Sequence, residues 1–217
     1  RCTMKEFIFI SDFDNTISER DFYWLVIDHY IGPRGVDYYT KWKKSKKIGT
    51  EFLNTVFGWY TFTEDEHNEA LDRVHMDKDL ESVEAFVTEH GGDFHILSAG
   101  FSYYIEHALA KRHLEHLSVI TNKGSFRDGH FIMEPDETSP FYSDVYGIDK
   151  EAVALYYKEQ TKKLYFAGDS EPDFWAAKHA DVIFAKEELA RILDETGIAY
   201  IPYESFSDIL GALKKGV

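Results

Sequence analysis

The stretch Phe7-Ile8-Phe9-Ile10-Ser11-Asp12-Phe13-Asp14-Asn15-Thr16 decides how the rest of the chain is read. Five of the seven residues from Phe7 to Phe13 are large and apolar, four of them consecutive. That is the pattern of a strand buried on both faces of a parallel sheet. It ends on Asp12 and Asp14, which on a continuing strand share a face while Phe13 points away. Open α/β sheets place their ligands at the carboxyl ends of such strands. Two carboxylates so close repel, and do not easily both ionise unless a cation or a shared proton relieves them. Taken alone, the stretch is also an ordinary turn after a strand, where Asp and Asn are common. Its meaning depends on what the other strands bring.

Composition narrows the field. The chain has 217 residues, 44% hydrophobic and 29% charged, enough for one domain with a sizeable insertion or for two small ones. A net charge of -15 argues against nucleic acid and anionic membrane surfaces as partners. No apolar run reaches the length of a membrane span and no signal peptide is recognisable. Cys2, the single cysteine, permits no intrachain disulfide and suits a reducing compartment, so the cytoplasm is the expected location. Met4 is the expected natural start. Nothing in the sequence specifies an oligomeric state.

Downstream of Thr16 the pattern turns helical. Ser18 and Asp21 have the spacing of a capping box for a helix through Phe22–Ile27, closed by Ile31-Gly32-Pro33. A lysine-rich stretch, Lys41 to Lys47, precedes an amphipathic helix over Glu51–Phe57. Thr63 and Glu66 form a second capping box, for a helix to about Val74, and another helix ends at Gly91-Gly92. The next buried strand, Phe94-His95-Ile96-Leu97, ends on Ser98-Ala99-Gly100. About eighty residues separate it from the first strand, where a crossover needs only a dozen or more. The expected division is therefore an α/β core over 1–17 and 78–217 with a helical cap over 18–77, placed like a lid on the strand ends.

Beyond it, strands and helices alternate. A helix over Phe101–His113 leads to a strand at Ser118–Thr121 and a hairpin turning at Asp128-Gly129. A helix opens at Gly147-Ile148-Asp149-Lys150, and Leu164–Gly168 is a third buried strand ending on Asp169-Ser170-Glu171-Pro172-Asp173. A strand at Asp181–Ala185, a helix stopping at Gly197, a short strand at Ala199–Ile201 and a helix from Ser207 complete the chain. Alternation of this kind predicts a doubly wound, Rossmann-like parallel sheet of the α/β class.

In such a sheet Asp12 and Asp14, Ser98, and Asp169 and Asp173 all reach one crevice, with Lys150 opening the helix before the third strand. Carboxylates, a hydroxyl beside a glycine and a fixed positive charge suit a hard divalent cation and a phosphate. Phosphoryl transfer needs that set, because its catalysis is mostly positioning and charge neutralisation. Each residue also has a bland role: Ser98 as a helix cap, Lys150 as a solvated helix residue, Asp169 and Asp173 as acids favouring a helix start, the lysine cluster as a solvated face.

In order and spacing, Phe7–Thr16, Ile96–Gly100, Lys150 and Gly168-Asp169-Ser170-x-x-Asp173 resemble the four motifs of the haloacid dehalogenase superfamily of phosphatases. The insertion after the first motif resembles the cap of the phosphoserine-phosphatase-like branch. The tail, Ile183-Phe184-Ala185-Lys186 through Ile201-Pro202-Tyr203-Glu204-Ser205-Phe206, is similar to that of the methionine-salvage phosphatases acting on 2-hydroxy-3-keto-5-methylthiopentenyl-1-phosphate. A cysteine-rich stretch often precedes the motif lysine in that family; here Ser143-Asp144-Val145-Tyr146-Gly147 stands in its place.

The resemblance implies Asp12 as nucleophile, passing through an aspartyl-phosphate, and Asp14 as general acid and base. It implies Mg2+ held by Asp12, the Asp14 backbone carbonyl and Asp169, with Asp173 binding directly or from behind. Ser98, the Ala99-Gly100 backbone and Lys150 would hold phosphate, and Asp21 either contacts substrate or only caps its helix. The expected ligand is a small phosphorylated metabolite. Phosphoserine phosphatase or a broad-specificity phosphatase is the alternative; a dehalogenase would not need Asp14 or the metal cluster, and a non-catalytic phosphate-binding module would not need the full set.

Overall fold

The computed structural model describes residues 3–217; what the sequence suggested for Cys2 lies outside them. Nine strands form two sheets: β1 (Ile8–Ser11), β2 (Asp93–Phe101), β3 (Ser118–Arg127), β4 (His130–Glu134), β5 (Tyr142–Ser143), β6 (Gly147–Ile148), β7 (Leu164–Gly168), β8 (Val182–Ala185) and β9 (Ile201–Pro202). The main sheet runs β4-β3-β2-β1-β7-β8-β9. All of its pairings are parallel except the β3–β4 hairpin. This is the predicted α/β sheet with one antiparallel edge strand.

β1 is buried along its whole length, and the two faces of the sheet explain its sequence. On one side Phe9 stacks at 5.5 Å on Phe94 and at 6.0 Å on both Tyr165 and Phe184. On the other, Ile8 and Ile10 join Leu164, Phe166 and Ile183. A strand with helices on both faces cannot alternate apolar and polar residues, so it reads as an unbroken apolar run. At the β3–β4 turn, Asp128 and Gly129 both take positive φ, 52° and 79°, as a two-residue hairpin turn with the sheet's own twist requires.

Between β1 and β2 the chain forms helices Phe22–Val26, Pro33–Lys43, Thr50–Phe57, Glu64–Asp72 and Leu80–Glu89, with a π-helical turn at Ile27–Ile31. It leaves and returns side by side: Asp77 N donates to Ile17 O at 2.7 Å, Glu19 N to His75 O at 2.9 Å, and Ser18 bridges Met76. The Thr63–Glu66 capping box has both of its halves. The insertion is seated on the hairpin. Asn54 donates to Met133 O at 3.1 Å and accepts from Met133 N at 2.8 Å, and Phe62 N donates to Gly129 O at 2.8 Å.

Three local expectations are corrected. Ser18 and Asp21 make no capping box: the Ser18 hydroxyl accepts from Asn15 N at 3.0 Å, and no side-chain hydrogen bond caps the helix at Asp21. Residues 33–43, read only as the end of one helix and the approach to the lysine-rich stretch, form a helix of their own, Pro33–Lys43. Pro33 occupies the first helical position, where its missing N–H and fixed φ are an advantage, so it opens a helix as well as following one. Gly147 belongs to a miniature hairpin, not to the helix that begins at Lys150. Among the described residues no helix is long and apolar enough to cross a membrane.

Candidate active site

Strand order reverses at β1, which has β2 on one side and β7 on the other. The crevice at its carboxyl end is where such a sheet binds ligands. Asp12 follows β1 directly, its N–H still donating to Ala167 O at 2.9 Å. The chain then turns, with Phe13 O accepting from the amides of Thr16, Ile17 and Ser18 and Asn15 at φ 58°. Asp14 thus reaches the crevice through a tight turn, and not through strand alternation. Both carboxylates line one cavity of about 410 Å3 between the strand ends and the helical insertion.

At its floor Lys150 Nζ lies 2.8 Å from Asp12 Oδ1 and 2.7 Å from Asp173 Oδ1. The lysine side chain is 4% exposed, which excludes a solvated helix residue. Burial alone would lower its pKa, but Asp12 and Asp173 outweigh burial and hold it above the ordinary lysine value. Asp173 uses its second oxygen to accept from Asp169 N and Ser170 N, at 3.0 and 3.1 Å, and so fixes the loop after β7. Gly168 is obligatory there, since a Cβ would sit 2.6 Å from that carboxylate. Thr16 Oγ1 lies 3.1 Å from both Asp12 Oδ2 and Asp169 Oδ1, and Asn15 Nδ2 donates to Asp169 Oδ2 at 3.0 Å.

Among the described residues the buried charged side chains are Asp12, Asp169, Asp173 and Lys150, three carboxylates to one ammonium. Asp12, Asp169 and Asp173 each offer an oxygen, all within 4.8 Å of one another. Burial, with the charge of Asp12 added, pushes Asp169 well above the usual carboxylate range and Asp173 to about 6. An oxygen-only donor set with excess buried negative charge fits a hard divalent cation.

Asp14 sits apart from that cluster. Its Oδ1 accepts from Phe22 N at 2.9 Å, and its Oδ2 from Tyr104 Oη at 2.6 Å and Ser98 Oγ at 3.4 Å. Burial raises its pKa to about 6 against the opposing pull of the Tyr104 and Phe22 donors. A carboxyl so placed can hold or release a proton near neutral pH.

Ser98 is 1% exposed, and its hydroxyl accepts from Gly100 N at 2.9 Å. It caps no helix, because the following one starts at Ser102 after Phe101. Ala99 and Gly100 line the cavity, as do Lys150, Asp169 and Asp21. Asp21, freed of a capping role, is raised well above its usual value by burial and by the nearby Asp14 and Asp12 charges. Asp12, Asp14, Asp21, Ala99, Gly100, Lys150 and Asp169 thus line one cavity, while Ser98 and Asp173 are buried behind it, Ser98 against Asp14 and Asp173 against Lys150.

Sequence reasoning gave no role in the site to four residues that shape it: Thr16 and Tyr203, which it quoted only within longer stretches, and Tyr104 and Asn122. Asn122 Nδ2 donates to Gly100 O at 3.1 Å and Tyr146 O at 2.9 Å, tying the β2 tip to the miniature hairpin. Tyr203 Oη donates to Gly168 O at 3.1 Å, so the tail reaches under the site. The signal for Tyr104 was a hydroxyl inside the buried helical stripe Tyr104, Ile105, Ala108, Leu109; a buried tyrosine oxygen needs a partner.

The lysines of the lip are exposed, as a solvated face requires, yet two of them reach across it. Lys43 pairs with Glu188 at 2.6 Å and Lys47 with Glu171 at 3.0 Å, joining the insertion to the sheet side of the cavity. Aromatic and aliphatic walls, Tyr23, Trp24, Tyr39, Leu53 and Phe57, line the insertion side.

No protein-family model matches the chain. It is 27% identical over 216 residues to a curated 2-hydroxy-3-keto-5-methylthiopentenyl-1-phosphate phosphatase of Exiguobacterium sp., covering 96% of this chain and 97% of the relative. A protein of that name from Exiguobacterium sibiricum is 24% identical over 211 residues, covering 94% and 95%. Among solved structures, a substrate-bound phosphoserine phosphatase aligns with TM-score 0.70 at 15% identity, over 98% of this chain and 99% of that one. A HAD family hydrolase of Salmonella enterica subsp. enterica serovar Typhi aligns with TM-score 0.69 at 15% identity, over 93% and 68%. The chain thus has the fold of the haloacid dehalogenase hydrolases and is similar, over nearly all of its length, to curated 2-hydroxy-3-keto-5-methylthiopentenyl-1-phosphate phosphatases.

Proposed function

We propose that the chain is a Mg2+-dependent phosphomonoester hydrolase acting through an aspartyl-phosphate, with residues 18–77 as a cap over the site. One observation carries this: Lys150 joins Asp12 to Asp173 beside Asp169 at the sheet's switch point, with Asp14 at the same cavity. An Asp12 carboxylate oxygen attacks phosphorus, the bond from phosphorus to the leaving oxygen breaks, and Asp14 gives that oxygen its proton. Asp14 then takes a proton from the water that attacks phosphorus, which releases inorganic phosphate and restores the Asp12 carboxylate. Lys150, Ser98 and the Ala99-Gly100 backbone hold the phosphoryl oxygens. Asp12, Asp169, the Asp14 carbonyl and Asp173 would hold Mg2+, which neutralises charge on the phosphoryl group.

The substrate is a small phosphorylated metabolite. The names of the relatives favour 2-hydroxy-3-keto-5-methylthiopentenyl-1-phosphate, and a cytoplasmic location fits it. Phosphoserine is the second reading, favoured by the solved structures. Of the insertion's arginines only Arg20 lines the cavity, so within the insertion a serine carboxylate would have to be met by it or by Lys43, Lys46 or Lys47. Arg20 pairs with Asp28 at 2.6 Å, Arg73 with Glu69 at 3.0 Å, and Arg34 stacks 4.1 Å over Trp59.

Phosphate release with Mg2+ across phosphoserine, sugar phosphates, phosphocholine, pyridoxal phosphate and the methionine-salvage enol phosphate tests the proposal. One strongly preferred compound is expected; broad, weak release would sink the salvage assignment. Asp12→Asn is expected to abolish turnover, and an active variant would refute Asp12 as nucleophile.

A further inference from the structure

We infer that Tyr104 is the positioning residue that aims the Asp14 carboxyl at the leaving group, a reading that rests on the phosphatase proposal. Its hydroxyl donates to Asp14 Oδ2 at 2.6 Å while the backbone of Phe22 donates to Oδ1 at 2.9 Å. The donors come from different elements, the helix after β2 and the first helix of the insertion. Together they fix both oxygens and stop the carboxyl from rotating. The donors are themselves coupled, because the Phe22 and Tyr104 rings pack with centroids 4.4 Å apart.

Tyr104 has little freedom. It is 2% exposed, and Phe101 packs edge-on against it at 4.9 Å. Its oxygen occupies the space left by the missing side chain of Gly100: a Cβ there would lie 1.8 Å from the Tyr104 oxygen and 3.1 Å from Asp14 Oδ2. The glycine that exposes backbone to phosphate thereby also admits the hydroxyl to Asp14. A purely structural role would explain a buried hydroxyl finding an acceptor. It would not require that the acceptor be the proton-transferring group, nor that a second donor hold that group's other oxygen.

Proton delivery matters in proportion to how poorly the leaving group departs. p-Nitrophenolate leaves without a proton, whereas phenolate and above all an alkoxide need one. General acid catalysis contributes roughly 10²–10⁴-fold, and misaiming the acid forfeits part of it. The experiment is kcat/KM, which reports the first chemical step, for p-nitrophenyl phosphate, phenyl phosphate and ethyl phosphate with wild type, Tyr104→Phe and Asp14→Asn.

Tyr104→Phe is expected to lose about 10-fold with phenyl and ethyl phosphate and no more than about 2-fold with p-nitrophenyl phosphate, the pattern of Asp14→Asn at smaller amplitude. Equal loss on all three, or no loss on any, overturns the inference and leaves the phosphatase reading intact. Tyr104→Met, which also lacks the hydroxyl, carries the same test should the phenylalanine variant fold poorly. A wild type that releases no phosphate from these esters or from any phosphorylated metabolite of the panel above sinks the phosphatase reading, and this inference with it.

Discussion

Three buried carboxylates facing one ammonium make a site whose excess negative charge a bound cation would balance, and this imbalance can be measured at the level of single residues. Mg2+ at about 100 times its Kd contributes about 2.7 kcal/mol to the folded state, and a chain of this size gains about 2–4 °C per kcal/mol. A rise in melting temperature of about 5–10 °C is therefore expected, and differential scanning calorimetry with and without Mg2+ checks it. Asp169→Asn removes one of the crowded charges. It is expected to melt no lower than wild type without metal and to lose most of the Mg2+ response. Carboxylates at strand tips and a lysine in the third of the four motifs were legible in the sequence because each ended or opened a recognisable element. Ser18 was misread because the rule for capping looks three residues forward along the chain, whereas its hydroxyl accepts from Asn15, three residues back. Tyr104 was hidden for a similar reason: its partner is 90 residues away.

Among the elements, β1 bears the most weight, since its neighbours on both sides are strands that carry site residues. Phe9 is fully buried and stacks on three aromatic rings from β2, β7 and β8. Phe9→Ala is expected to cost about 3–5 kcal/mol, through lost burial and the cavity left behind, read from the midpoint of urea unfolding. Strands such as this were easy to place because burial on both faces demands apolar runs. Helix Pro33–Lys43 was not. Only Gly35 in it is buried, so its sequence carries many charged and tyrosine residues and little apolar period. The miniature hairpin of Tyr142–Ser143 and Gly147–Ile148 is too short for any periodicity to mark it.

For the whole molecule, the sequence suggested a helical insertion between the first two long strands but not how it sits. Its seat is made by pairings across long sequence distances, of which Asn54 with the Met133 backbone is the most specific. Asn54→Ala leaves an amide and a carbonyl of β4 without their partner. The expected cost is about 1–3 kcal/mol, with faster hydrogen exchange at Met133 than in wild type; unchanged exchange would show that the insertion is held by its aromatic contacts alone. Sheet order carries a different consequence, one in time. Ile8 pairs with Asp93 on one side and Leu164 on the other, and Tyr203 must still arrive from the tail to reach Gly168. Chains dominated by such distant pairings fold slowly, since loop closure precedes any gain from contact. A ribosome making this protein therefore cannot complete the crevice before Tyr203 has emerged, and refolding assayed by catalysis should lag behind refolding assayed by helix content.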